Sequence, residues 1–227
     1  MQPYFLPYIG YFQLIAAADV FVIYDNIKYT KKGWINRNRY LLNGTDALFS
    51  LPLKHDSDSL TVVERQISEV YSPDKLIRQL RAAYERAPFF RPNFPVIEAI
   101  IRCDRRNLFD YVAASVAGIC EFLAITTRVV NSSSIQIDPA LTAQAKVGAL
   151  CEALAAGEYV NPSGGRELYS KEHFASRGIE LKFINSHFIQ YPQFGDPFVP
   201  WLSIVDVLMF NPVSRVQEWV RHEFDLT

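Results

Sequence analysis

The sequence predicts an α/β fold, in which a mostly parallel, Rossmann-like sheet carries helices on both faces and the C-terminal part is helical. Strand-like stretches alternate along the chain with amphipathic helical stretches, as they do in βαβ units. The run "DVFVIYD" at 19–25 is β-branched and aromatic, which is typical of a strand buried on both faces. With 227 residues, 49% of them hydrophobic, and no linker or repeat, residues 1–227 are expected to form one domain around a substantial core.

In the first half of the chain the sequence predicts two strands and three helices. The strands are 19–25 and 46–54, and the helices are one that begins near Gly10 or Tyr11, one at 72–87 and one at 107–125. The second strand follows the turn "NGT". In the second helix Ser72 has the place of an N-cap and Pro73 that of the first helical residue, where a missing N–H costs nothing.

The second half continues the alternation and ends in helices. The strands are 126–134, 158–162 and 179–185, and the helices are 138–157, 166–178, 201–210 and 212–224. The first of these helices is expected to have Asp138 as its cap, Pro139 at its first position and Gly157 as its stop. In parallel sheets ligands bind where the carboxyl ends of the strands lead into loops, so the loops after the strands are the candidate sites.

Charge and composition exclude several classes of function. The net charge of −1 argues against a wholly basic nucleic-acid binder. Residues 1–106 carry 15 Lys and Arg against 11 Asp and Glu, whereas the rest carries 8 against 13, so an anionic ligand would meet the first half. No apolar run is long enough to span a membrane and no secretory signal is present, which favours a cytoplasmic protein.

The cysteines and histidines predict no metal site. Three cysteines at long spacings form neither a disulfide framework nor a zinc set, and the four histidines are scattered. The G-x-S-x-G motif of a Ser-His-Asp hydrolase is absent from the sequence.

The opening stretch "MQPYFLPYIGYFQLI" is the first candidate for a ligand site. Prolines fix its backbone, and Gly10 would allow a close approach to the start of the helix, whose free N–H groups favour an anion. The chain would cross here from a strand into the first helix, and the side chains that would line this crossing are those of Gln2, Tyr4 and Tyr8. The alternative is an ordinary proline-rich turn held by aromatic rings.

The segment "DNIKYTKKGWINRNR" is the second candidate, because it interleaves cations and aromatic rings after a buried strand. Lys32 and Arg37 could hold phosphate while Trp34 stacks on a base or a sugar ring. Asn36 and, at the end of the strand, Asp25 complete this group of ligand-binding candidates. The alternative is a solvated basic loop.

Two shorter stretches complete the candidates. In "YVNPSGGRELY", Gly164 and Gly165 place backbone N–H groups at a helix start, with Asn161 and Tyr169 beside them, although a tight turn between strand and helix is as good an explanation. In "LSIVDVLMFN", Ser203 would cap a helix that presents Asp206 one turn in. A carboxylate among apolar residues needs a partner and could act as a base, whereas the alternative is a helix with one polar edge.

These four stretches resemble the WbqC-like protein family in order and spacing, from Gln2 to about Val220. The resemblance implies a bacterial, cytoplasmic protein of O-antigen or other surface-polysaccharide biosynthesis, which transfers glycine or another small acyl group to an amino sugar. It also implies a short strand before Gln2, because family members usually begin with one ahead of the Gln-Pro-Tyr motif.

The layout is also similar to that of HIGH-type nucleotidylyltransferases, in which a short motif at the start of the first helix meets ATP phosphates. Tyr8 and Tyr11 then replace the two histidines of that motif. Tyrosine is uncharged at neutral pH and cannot neutralise phosphate. Four cations of the segment "DNIKYTKKGWINRNR", the basic segment, would therefore stabilise the phosphate charge: Lys31, Lys32, Arg37 and Arg39.

The sequence therefore predicts a transferase that binds a nucleotide or nucleotide-sugar and moves a small acyl group. Asp206, Tyr8 and Lys32 are the predicted catalytic residues, with Asp206 as the base that deprotonates an amine. ATP and Mg²⁺ would be needed if a free amino acid were the donor. Two alternatives stay open, a non-catalytic module that binds nucleotide-sugars or glycans, and, less favoured by the net charge, a single-stranded nucleic-acid binder.

Overall fold

The structure, a computed structural model, describes residues 1–195 and 197–227 and has a mixed α/β architecture. The helices are α1 (Ile9–Ala16), α2 (Pro73–Tyr84), α3 (Phe90–Ile101), α4 (Leu108–Phe122), α5 (Ala143–Ala153), α6 (Lys171–Ala175), α7 (Ile204–Phe210) and α8 (Val213–His222). The strands are β1 (Val20–Ile23), β2 (Arg37–Leu42), β3 (Thr45–Ser50), β4 (Arg128–Asn131), β5 (Glu158–Pro162), β6 (Glu180–Ser186) and β7 (Phe224–Leu226).

The strands form three small sheets. β1 pairs in parallel with β4, and β5 pairs in parallel with β6, which also pairs antiparallel with the short β7. The third sheet is the antiparallel hairpin β2–β3. The α/β class is confirmed, but these short strand pairs do not confirm a Rossmann-like sheet.

The hairpin corrects the expectation that the basic segment is a loop throughout. Asn43 and Gly44 both have positive φ, 52° and 78°, which is the conformation of the two-residue turns that join hairpin strands. The turn therefore folds β3 back on β2, and the basic segment ends as strand from Arg37 onward. The cations at its end are fixed on a strand.

Helix boundaries follow the capping signals in some places and depart from them in others. Ser72 caps α2 as predicted, because its hydroxyl accepts from the N–H of Lys75 at 3.3 Å. α5 begins four residues after its predicted first position at Pro139, and the carboxylate of Asp138 instead accepts from the N–H of Ala140 in a turn. The segment 166–178 contains only the short α6, preceded by a 3₁₀ turn at Ser163–Leu168. α3, which has Pro95 inside it, lies in a stretch for which the sequence predicted no element.

The main core joins α1–α4, α7 and α8 to β1 and the hairpin, and a smaller apolar cluster lies between α5, α6 and the β5–β6 pair. The opening segment runs beside β1, since the N–H of Tyr24 donates to the carbonyl of Met1 at 2.8 Å. A groove of about 670 Å³ runs between β1 and β5. Within the described residues, no helix is both long and apolar enough to cross a membrane.

Candidate functional site

An aromatic pocket lies where the opening motif, the start of β2 and the segment before α7 meet. Its volume is about 180 Å³. We define it by its lining: Tyr4, Pro7, Tyr8, Trp34, Asn38, Arg39 and Trp201. It is smaller than the roughly 300–1,000 Å³ typical of pockets for drug-sized ligands, so it suits one ring and its substituents.

The Tyr8 side of the pocket depends on Gly10. A Cβ on Gly10 would lie 2.4 Å from the nearest atom of the Tyr8 ring, so only glycine lets that ring lie against the first turn of α1. Burial raises the pKa of Tyr8, which keeps its phenol protonated. The Tyr8 ring meets Trp201 edge to face, with ring centroids 6.0 Å apart.

The Trp34 side brings the predicted cations and the aromatic ring together. The guanidinium carbons of Arg37 and Arg39 lie 5.8 and 5.5 Å from the centre of the Trp34 ring. Arg37 folds back on its own loop and donates to the carbonyl of Lys32 at 2.6 Å. Arg39 crosses the pocket and donates to the carbonyl of Trp201 at 3.1 Å. The pocket therefore combines aromatic faces with a cation.

Buried polar groups hold the backbone around the pocket. Asn38 is buried and donates to the carbonyls of Phe5 and Leu6 at 3.1 and 3.0 Å, which fixes the opening turn. The Ser203 hydroxyl donates to the carbonyl of Leu6 at 2.6 Å, and the Ser203 N–H donates to the carbonyl of Arg39 at 2.9 Å. The start of α7 thus joins the opening motif to β2.

Trp201 carries a strained backbone and an exposed ring. Its φ of 60° lies in the left-handed region, which costs a residue other than glycine about 1–2 kcal/mol. The side chain is nevertheless 53% exposed, so core packing does not account for the strain. Strain of this kind is concentrated at ligand sites, and this makes Trp201 a functional candidate.

Gln2, Asn36 and Lys32 lie near the pocket but outside its lining. The Gln2 carbonyl accepts from the Tyr11 hydroxyl at 2.8 Å, and the Asn36 amide bonds the Tyr29 hydroxyl at 2.9 Å and the Leu51 carbonyl at 2.8 Å. The Gln2 main chain and the Asn36 side chain thus hold neighbouring segments together, while the Gln2 side-chain oxygen accepts from the Tyr4 hydroxyl at 3.3 Å. Lys32 is exposed on the basic loop. Tyr11, one of the two tyrosines that match the HIGH motif, is buried.

The stretch with the paired glycines forms a separate group beside the smaller core. A Cβ on Gly165 would lie 2.4 Å from the Asn161 side-chain oxygen, so this glycine is needed for a tight turn, whereas a Cβ on Gly164 would meet nothing within 4 Å. Asn161 donates to the Tyr159 hydroxyl, and the Tyr169 ring packs 5.7 Å from that of Tyr159. None of these residues lines the aromatic pocket.

Asp25 lies at the carboxyl ends of β1 and β4, where parallel strands are expected to present ligand groups. Its carboxylate accepts from the Ser132 hydroxyl at 2.8 Å and from the N–H and hydroxyl of Ser133. Burial raises the pKa of Asp25, but these hydrogen bonds outweigh it and hold the pKa below its usual value. Asp25 is therefore an ionised and well-bonded carboxylate away from the aromatic pocket.

Asp206 lies fully buried in the first turn of α7, capped by Ser203 as the sequence predicts. Its Oδ1 accepts from the Tyr191 hydroxyl at 2.6 Å and from the Gln193 amide at 2.9 Å, and its Oδ2 accepts from the Tyr84 hydroxyl at 2.9 Å. Burial raises the pKa of Asp206 to about 6 in spite of these donors. The three donors supply the hydrogen-bond partners that a buried carboxylate was expected to need, and the role of Asp206 as a base stays a prediction.

Sequence reasoning assigned no role in the site to Trp201, Asn38 or Pro7, and named Arg39 only as a phosphate-binding cation. Trp201 follows the stretch "QYPQFGDPFVP", whose prolines and aromatic rings are unusual for a plain connection and were the available signal. Asn38 was notable only as one of the two amides beside Arg37, and its role could not be predicted, because it depends on the carbonyls of Phe5 and Leu6 far away in the chain.

Comparison with known proteins supports one assignment. A sequence model of the WbqC-like protein family matches residues 2–218. A curated relative, described as the uncharacterized protein Rv1507c of Mycobacterium tuberculosis (strain ATCC 25618 / H37Rv), is 27% identical over 225 residues, which cover 98% of this chain and 96% of the relative. No solved structure matches the chain.

Proposed function

The chain belongs to the WbqC-like protein family, whose membership suggests a polysaccharide-associated role, and from this we propose that it binds a nucleotide-linked amino sugar in the aromatic pocket. The bound sugar would be the acceptor of a small acyl group, such as glycine, during surface-polysaccharide biosynthesis. The observation that supports this most is that two exposed tryptophans, Trp34 and Trp201, face one pocket together with Arg39.

The chemistry of the lining matches the two parts of such a ligand. The flat apolar face of a sugar or base ring can stack on the indole of Trp34 or Trp201, and stacking on aromatic rings is worth about 1–3 kcal/mol per base. The guanidinium of Arg39 can pair with a phosphate oxygen through charge-assisted hydrogen bonds. Arg37, whose guanidinium carbon lies 5.8 Å from the centre of the Trp34 ring, would add positive charge for the second phosphate.

Acyl transfer would form a bond between the amine nitrogen and the carbonyl carbon of an activated donor such as an aminoacyl thioester, while the C–S bond breaks and the leaving thiolate takes up the proton that the amine loses. Tyr8 lines the pocket and Lys32 lies on the adjoining loop, so we retain both as candidates to orient the donor. The described residues of the lining include no carboxylate, and the pocket therefore offers no ligand of the type that Mg²⁺ prefers. Activation by ATP and Mg²⁺ at this pocket does not fit these residues and is no part of the proposal.

A second candidate is a non-catalytic binding module for the same ligand. The position of Asp206 favours this candidate, because its carboxylate is buried and both of its oxygens accept hydrogen bonds. Among the described residues, no carboxylate that could act as a base lines the pocket. A module would bind the sugar without turning it over.

Calorimetric titration with UDP-glucosamine, UDP-glucose and free glucosamine tests the binding step. We expect UDP-glucosamine to bind, Trp34→Ala to weaken binding at least tenfold, and Leu168→Ala, which removes an exposed apolar side chain outside the pocket, to leave it unchanged. Equal affinity of wild type and Trp34→Ala would overturn the site. Turnover of UDP-glucosamine with an aminoacyl thioester then separates the transferase from the module.

A further inference from the structure

The carboxylate of Asp206 points one oxygen toward each of two segments that line the aromatic pocket. Oδ1 accepts from donors in the segment that leads to Trp201, and Oδ2 accepts from a donor that contacts β2. The side chain itself is 0% exposed and does not line the pocket. Any effect on a ligand must therefore pass through the groups that it holds.

The first connection runs from Oδ1 to Trp201. The Gln193 amide donates to Oδ1 at 2.9 Å and to the Val199 carbonyl at 3.1 Å, while its oxygen accepts from the Val199 N–H at 2.9 Å. This reciprocal pair ties Gln193 to Val199, two residues before Trp201. Tyr191, the second donor to Oδ1, lies two residues before Gln193 and fixes the same segment from that side.

The second connection runs from Oδ2 to the cationic side of the pocket. The Tyr84 hydroxyl donates to Oδ2 at 2.9 Å and accepts from the N–H of Leu41 at 2.8 Å. Leu41 lies in β2, two residues after Arg39, so this bond fixes the strand that carries Arg39 and Asn38. Tyr84 is fully buried and can respond only as part of this network.

We infer that Asp206 is a positioning residue that sets the spacing between the Trp201 side and the β2 side of the aromatic pocket. A carboxylate suits this role because both of its oxygens accept hydrogen bonds, so it can serve three donors at once. An asparagine in its place would point its NH₂ group at one of these donors, and no hydrogen bond could form there. A buried carboxylate is costly unless it is fully hydrogen-bonded, and all three of its donors come from the two connections. The importance of this spacing for a ligand rests on the proposed function, but the spacing itself does not.

The test labels the protein with 5-fluorotryptophan and records ¹⁹F NMR spectra without ligand. Trp34 and Trp201 report on the two sides of the pocket, and single Trp→Phe variants assign the three resonances, Trp219 included. We expect Tyr191→Phe to shift the Trp201 resonance, Tyr84→Phe to shift that of Trp34, and Asp206→Asn to shift both. Tyr71→Phe is the matched control, because it removes a buried hydroxyl bonded to Tyr111 at 2.7 Å outside this network, and it should move neither resonance.

The outcomes separate this inference from the proposed function. If Asp206→Asn folds and leaves both resonances at their wild-type positions, or if Tyr71→Phe moves them as much, the inference is overturned. If Asp206→Asn does not fold, the two tyrosine variants decide, and unmoved Trp34 and Trp201 resonances overturn it. Shifted resonances support the inference even when UDP-glucosamine fails to bind, in which case only the function falls. When UDP-glucosamine does bind, its affinity should fall about tenfold in Asp206→Asn, as expected for the loss of a charged hydrogen bond.

Discussion

Tyr8 and Trp201 come from opposite ends of the chain and meet edge to face, with their ring centroids 6.0 Å apart. Both rings line the aromatic pocket, and both also line a shallow cleft on its other side, beside Ser186 and Phe188. The contact therefore lies between two depressions, and the Trp201 ring contributes to the lining of both.

Replacement of Trp201 separates the function of its ring from the cost of its backbone. Since φ is 60°, Trp201→Gly relieves strain that Trp201→Ala retains, and we expect the glycine variant to be more stable than the alanine variant by about 1 kcal/mol. Both should bind UDP-glucosamine at least tenfold more weakly than wild type, because both lack the ring. Urea unfolding and calorimetric titration measure the two effects, and an alanine variant as stable as the glycine variant would contradict the assignment of strain.

Gly10→Ala is expected to displace Tyr8 without unfolding the protein. The new Cβ would lie 2.4–2.6 Å from two ring carbons and the hydroxyl oxygen of Tyr8, so we expect the ring to rotate out of the pocket. Affinity for UDP-glucosamine should fall about tenfold, and Tyr8→Ala should add little to the loss, since both changes remove the same wall.

Gly148→Ala in α5 is the control for the glycine itself. Its Cβ would meet only the flexible Arg177 side chain at 3.3 Å, so affinity should be unchanged and the helix slightly more stable. Additive losses in the Tyr8→Ala, Gly10→Ala double variant would show that Gly10 acts by some route other than Tyr8.

One side of the aromatic pocket is local in the chain, so the sequence could indicate which of its residues lie close together. Pro7, Tyr8 and Gly10 form a turn and a helix start, and short-range rules describe both. Trp34 was identified from the cations around it, and Arg37 and Arg39 do flank its ring. These features depend on residues within a few positions of one another.

The opposite side could not be predicted, because its contacts are long-range. Trp201 reaches Tyr8 only through α7, whose first turn bonds Leu6 and Pro7, and no local pattern encodes that docking. The paired glycines at Gly164 and Gly165 gave a plausible anion motif, yet Gly165 packs against Asn161 within its own turn. The sheet was predicted as continuous for a similar reason, since the alternation of elements does not reveal which strands pair.

His187 should titrate with a raised pKa, because its ring lies between two carboxylates. Its Nε2 is 3.0 Å from an oxygen of Asp225, and its Nδ1 is 3.1 Å from one of Glu223, so only the imidazolium can donate to both. Asp225 first and Glu223 second raise the pKa of His187 above 6.5. The contribution of these ion pairs to the free energy of unfolding is therefore complete below the pKa of His187 in the unfolded chain. It is lost as the pH rises through the pKa of His187 in the folded protein.

An NMR titration of the His187 ring checks this expectation. The pKa should fall in Asp225→Asn and in Glu223→Gln, whereas Asp104→Asn, at a distant exposed position, should leave it unchanged. A His187 pKa that does not respond to either neighbour would show that the ring is not held between them in solution.

Asp206 should make the stability of the protein depend on pH in the direction opposite to that of most carboxylates. Its pKa is about 6 in the folded protein, against an unfolded value of 3.8, because burial disfavours the charged form. Between these values the folded state binds more protons than the unfolded state, so the free energy of unfolding falls as the pH rises from about 4 to 6 and is level above that. At about 1.4 kcal/mol per pKa unit, the full change is about 3 kcal/mol.

The comparison of wild type with Asp206→Asn isolates this effect. The other titratable groups that bond the carboxylate, Tyr84 and Tyr191, have raised pKa values and stay protonated throughout, and Gln193 is neutral. His187 titrates in both proteins, so its contribution cancels in the difference between their free energies of unfolding. Urea unfolding between pH 4 and 7 should therefore show a wild-type advantage that shrinks as the pH rises, and a constant difference would mean that the buried carboxylate keeps an ordinary pKa.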